Sequence, residues 1–130
     1  MKISKKKSAP RYAREGITSY LLVSPRTSGA TYLTTSVVEI EPGGEQKIHH
    51  HTPEQIYYIL EGSGRMTVED ETARVGPGDC IFIPSTTPHG LKNDGNVLLK
   101  YFSAAAPSFD REQLEKLWPL RSETERERRI

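Results

Sequence analysis

Three imidazoles and one amide mark where this chain can do chemistry. His49, His51 and Gln55 lie in HHHTPEQIYYILEG, and His89 lies in GDCIFIPSTTPHGLKN. The chain has four histidines in all, and these two stretches hold every one of them. Neutral imidazole is a common ligand for zinc, copper, iron and nickel. Positions i, i+2 and i+6 of an extended strand project from one face, so His49, His51 and Gln55 are expected to converge. His89, from a distant strand end, closes the set. The expectation is one divalent transition metal per chain, with zinc, nickel, iron and manganese all compatible. Glu54, next to Gln55, has the opposite parity and points away on a regular strand. Only a β-bulge brings it in. His50 has even parity and is expected to face away from the site.

The elements that must position these residues are short strands. Ile17–Ser24, Tyr32–Glu41, Gln46–His51, Gln55–Glu61, Arg65–Glu69, Thr72–Val75, Cys80–Pro84 and Val97–Ala104 read as strands. Turns at Pro42-Gly43-Gly44, Gly62-Ser63-Gly64, Gly76-Pro77-Gly78-Asp79 and Asn93-Asp94-Gly95-Asn96 separate them. Turns at this spacing predict an all-β sandwich or barrel. The parity of Tyr57 and Ile59 follows Gln55, and Phe82 shares its parity with Cys80 and Pro84. Such residues are expected in the core. Cys80 is read as a small buried apolar residue. Tyr101 is expected to face the interior in preference to Lys100, and Lys47 to stay in solvent.

The two histidine stretches together resemble the signature of the cupin superfamily. Its first half reads G-x5-H-x-H-x3-E-x6-G. Here Gly43, His49, His51 and Gly62 fall in register, with Gln55 at the carboxylate position. Its second half reads G-x5-P-x-G-x2-H-x3-N, matched by Gly78, Pro84, His89 and Asn93, with Thr86 at the usual glycine. The resemblance runs from Gly43 to Asn93. It implies a double-stranded β-helix, or jelly roll, holding one metal within the barrel mouth through His49, His51, Gln55 and His89. Glutamine supplies a neutral oxygen, so a divalent ion there keeps its full charge. That suits a Lewis acid and disfavours a higher oxidation state. Some cupins with glutamine at this position act on sugar acids or polyketides. The functional expectation is therefore a Lewis-acid isomerase, cyclase or lyase acting on an oxygen-rich small molecule. An oxygen-dependent dioxygenase and a non-catalytic binding or sensor module are the alternatives. Tyr57 is a candidate proton donor beside the metal.

The remaining features bound the molecule. At 130 residues the chain is expected to form one domain with a single core. Residues 1–15 read as a basic arm, 16–107 as the barrel, and 108–130 as a C-terminal helix and charged tail. In the last piece, Asp110 is an N-cap with Gln113 at N3, and Phe109 and Leu114 sit at staple positions. Leu114, Leu117 and Trp118 share one helical face, and Pro119 ends it. A net charge of +1 offers no nucleic-acid or membrane surface. No apolar stretch follows the basic start, so it does not read as a secretory signal. A lone cysteine suits the cytoplasm. The expected partners are a small-molecule substrate and a second copy of the chain. Ile17–Ser24 is the expected pairing edge of that homodimer.

Overall fold

The computed structural model describes residues 1–109 and Glu112. Ten strands run in chain order: β1 Arg11–Arg14, β2 Ile17–Leu21, β3 Thr34–Ile40, β4 Glu45–His49, β5 Glu54–Glu61, β6 Gly64–Val68, β7 Glu71–Val75, β8 Cys80–Ile83, β9 His89–Lys92 and β10 Leu99–Ala106. They form two antiparallel sheets, one ordered β1-β2-β3-β10-β5-β8 and the other β4-β9-β6-β7. This is the jelly roll expected from the sequence. Of the helix expected from Asp110 onward only Glu112 is described, in helical conformation, and the rest falls outside the described residues. No helix among the described residues is long and apolar enough to cross a membrane.

Alternation builds the core between the sheets. Along β3 and β10, every second residue is buried. Ile17, Val38, Ile40, Ile59, Ile83, Leu91 and Leu99 meet there with Tyr57 and Tyr101. Lys100 points outward and pairs with Glu39 and Glu61.

The structure corrects four expectations. First, the basic arm includes a strand. After a 3-10 turn at Lys6–Ser8, β1 pairs with β2 across a tight turn at Glu15-Gly16, where Gly16 takes φ 75°. Lys6 ties the beginning of the chain to the barrel through Glu39 at 3.0 Å and through the Tyr20 ring at 4.7 Å. Second, β2 is not an edge, because β1 and β3 flank it. The chain also leaves that strand early. Ser24 caps a single helical turn, α1 at Pro25–Ser28, with its hydroxyl accepting from the Thr27 N–H.

Third and fourth, Cys80 and Phe82 face solvent, Phe82 being 55% exposed. The cause is register. Strand partners in an antiparallel pair share a face. Gln55 opposes Ile83 and Tyr57 opposes Ile81, so Ile81 and Ile83 point inward. Phe82 follows Ile56, and Cys80 follows the exposed Tyr58.

Candidate metal centre

The three histidines do meet, though not by the parity of one strand. His49 ends β4 and pairs directly with His89 on β9, after an irregularity in the β4–β9 register between Gln46 and His49. His51 lies past the strand end, where the chain crosses from one sheet to the other. Gln55 sits on β5, in the other sheet. Pro53 occupies that crossing. Proline has no N–H for a strand ladder, so the chain does not continue as one strand from His49 to Gln55.

The second motif half anchors this crossing. The Thr86 N–H donates to the His51 carbonyl at 2.7 Å, and the Ser85 hydroxyl donates to the Thr52 carbonyl. Thr86 adopts φ 60° at the position where the signature has glycine. A β-branched residue there carries backbone strain. Its N–H bond and its hydroxyl bond to the Ser85 carbonyl hold it in place.

Ring nitrogens of His49, His51 and His89 lie within 4.8 Å of one another. The ring centroids of His49 and His89 are 4.3 Å apart, and those of His51 and His89 4.9 Å. Each Nδ1 meets a backbone carbonyl: His49 that of Lys47 at 2.8 Å, His51 that of Pro53 at 3.1 Å, His89 that of Thr87 at 2.8 Å. A carbonyl only accepts, so each Nδ1 carries the proton and each Nε2 keeps a lone pair. Outer hydrogen bonds of this kind fix the tautomer that a metal needs.

Burial reinforces the neutral state. It pushes the His89 pKa down to about 4, helped by the charges of His49 and His51 and opposed by the Thr87 hydrogen bond. His49 and His51 are also lowered, again chiefly by burial. At neutral pH the cluster therefore presents lone pairs, not charges.

Two observations test whether a cation fits. His89 is fully buried, yet its Nε2 has no hydrogen-bond partner among the described residues. A buried unpaired polar atom is costly unless something coordinates it. Second, Gln55 donates its amide N–H to Ser103 Oγ at 2.6 Å, which turns Oε1 toward His51 Nε2 at 2.7 Å. Two lone-pair atoms at that distance are satisfied by a shared proton or a shared cation. The residues present fit a metal ion. Glu54 is exposed, in keeping with its parity, as is His50.

Tyr57 stands beside the cluster, its ring edge-on to His89 at 5.9 Å and stacked on Tyr101 at 4.2 Å. Burial pushes its pKa up to about 12, partly offset by the Tyr101 hydroxyl. It is fully protonated at neutral pH.

A cavity of about 50 Å3 adjoins His49 and His51. One water needs roughly 10–15 Å3 of such space, so a ligand of several atoms fits. Residues that sequence reasoning misses also line it: Arg14, Gln46, Ser103 and Phe109. Phe109 packs edge-on against His51 at 5.0 Å. The signal for Arg14 is RYAR followed by a Glu-Gly turn, a hairpin cue masked by its basic neighbours.

The cupin-domain family model matches residues 36–104. The chain belongs to the cupin family. Uncharacterized protein MJ1618 of Methanocaldococcus jannaschii is 36% identical over 112 residues, 85% of this cupin and 90% of that protein. The tetracenomycin polyketide synthase protein TcmJ of Streptomyces glaucescens is 29% identical, over 87% of this chain and 76% of its own. Among solved structures, the polyketide cyclase RemF from Streptomyces resistomycificus is 25% identical with a TM-score of 0.72, covering 88% of this cupin and 91% of that chain. Other curated relatives include a dioxygenase, a lyase and a decarboxylase, of which this chain spans 20%, 51% and 21%.

Proposed function

We propose that this cupin is a metal-dependent Lewis-acid enzyme acting on an oxygen-rich small molecule, as an isomerase, cyclase or lyase. Its substrate class is sugar acids or polyketides. His49, His51, Gln55 and His89 would hold one divalent transition metal, zinc, nickel, iron or manganese. Such an ion, when bound, polarises a carbonyl or hydroxyl without changing oxidation state. The observation that carries this reading is Gln55 Oε1, held 2.7 Å from His51 Nε2 by the Ser103 anchor. A neutral oxygen, not a carboxylate, completes the donor set, so the centre stays electrophilic. The likeness to a polyketide cyclase over most of both chains supports the same choice.

The chain's own residues supply the rest. The three Nδ1–carbonyl bonds hold the imidazoles in place, and Ser103 orients the amide. Tyr57 keeps its phenolic proton in a buried position from which it can hydrogen-bond a developing oxyanion. Phe109 and the Tyr57–Tyr101 stack limit water at the cluster.

The test is turnover of uronates, keto sugars and diketones by zinc-loaded protein, with and without oxygen. Zinc-supported, oxygen-independent turnover is expected. Turnover only with iron and oxygen would replace this reading with a dioxygenase, which a three-histidine site also permits. Ligand binding without turnover would favour a sensor module. A homodimer belongs to the proposal, with the outer edge β8 replacing β2 as its pairing strand. Exposed Phe82 and Tyr58 flank that edge. Sedimentation equilibrium checks the mass.

A further inference from the structure

Among the described residues, Arg14 is the one permanently charged residue lining the inner cavity, and none of them brings a carboxylate to its wall. The guanidinium is half-buried and makes one hydrogen bond among the described residues, Nη2 to Gln46 Oε1 at 2.8 Å. The Tyr12 ring supports it at 4.9 Å. A guanidinium has five N–H donors, so four find no acceptor among the described residues. No ion pair among the described residues involves it, although Glu15, Glu41 and Glu45 border the outer groove that Arg14 also lines.

Gln46 places this charge relative to the histidines. Its Oε1 receives Arg14, and its Nε2 lies 3.5 Å from His49 Nδ1. Arg14 therefore brings a planar fork of donors into the same cavity wall as two imidazoles of the cluster, His49 and His51. An anion within reach of both is strongly favoured in a partly desolvated space.

We propose that Arg14 is a specificity-determining residue that receives a carboxylate of the ligand and directs its neighbouring oxygen toward His49, His51 and His89. The fork geometry matches a carboxylate through two parallel N–H···O bonds, which a lysine cannot reproduce. The assignment deepens the metal-enzyme reading by naming an anionic substrate, and it rests on that reading for the second contact.

Isothermal titration of zinc-loaded full-length protein with pyruvate and with neutral pyruvamide tests it. The expected result is pyruvate binding at least about tenfold tighter than pyruvamide, a charge-assisted bidentate contact. Arg14→Gln should bring the two ligands within about twofold, with zinc content and melting temperature unchanged. Arg14→Lys should keep some of the preference, losing about threefold or more. If Arg14→Gln does not fold, that Arg14→Lys loss decides. An undiminished preference in the variants would overturn the assignment, because the metal's charge alone would then explain it. So would equal affinities, or no binding of either ligand, in the wild type. Titrating the chelator-treated chain separates the two readings. An Arg14-dependent preference without metal upholds Arg14, whereas failure to take up zinc counts against the metal centre alone.

Discussion

Gln55 and Glu54 are adjacent carbonyl-bearing side chains with opposite placements. Gln55 reaches His51 and Glu54 is exposed. Replacing Gln55 by Ala should weaken zinc binding by about 10-fold or more, while Glu54→Ala should change it by less than about twofold. Competition with a metal indicator measures both. The reverse order would place a carboxylate in the site. The histidines make a second prediction, for metal-free protein. His89 has a folded pKa of about 4 against an ordinary 6.5. Above 6.5 neither folded nor unfolded chain protonates it, and its contribution to stability is complete. As pH falls from 6.5 toward 4, the unfolded chain takes up a proton that the folded chain refuses. Stability should decline across that window and level off below it as regards this residue. Urea midpoints at pH 7, 5.5 and 4.5, with chelator, check the sign. A rise toward acid would contradict it.

Two motif residues act at the level of elements. Asn93 is fully buried, and its amide donates to the carbonyls of Ile40 and Val97, both at 2.8 Å, while its Oδ1 accepts from the Gly95 N–H. Its backbone exchanges hydrogen bonds with Gly43 and Gly44. It thus joins the end of β9 to the ends of β3 and β10. Asn93→Ala leaves two carbonyls short of a donor and should cost about 2–4 kcal/mol in denaturant unfolding. Gly62 takes φ 75° in the β5–β6 turn, and an added Cβ would strike the Leu98 carbonyl and Leu99 Cα. Gly62→Ala should cost more than about 2 kcal/mol. Either variant, where folded, should take up zinc as the wild type does. A melting temperature unchanged from wild type would remove the structural role assigned to these signature positions.

Across the whole molecule, periodicity is legible in the sequence and partnership is not. Alternation in TTSVVEI and LKYFSAAA marks β3 and β10 because both faces are distinct. Cys80 and Phe82 defeat the same reasoning because parity divides a strand into two faces without saying which one is inside. Only the β5–β8 register decides that. Arg14 is hidden for a related reason. Basic residues around a short edge strand resemble a solvated tail until a pairing partner is known. The histidine set is legible from motif spacing. The route that assembles it, with an irregular β4 register and a crossing at Pro53, is not.

That crossing has a further consequence. His49 and His89 belong to the four-stranded sheet, Gln55 to the six-stranded one, and His51 to the link between them. A cation shared by these groups acts as a clasp between the two leaves of the barrel. Leaves joined in this way cannot open independently, so motions that free a single sheet are suppressed. Amide hydrogen exchange should register this directly. Saturating zinc, at about 1,000 times its dissociation constant, adds roughly 4 kcal/mol to the folded state. Slowing is expected in parallel for the core amides of β9 and β5. Protection confined to β4 and β9 would mean that the ion sits on one leaf and leaves Gln55 unengaged.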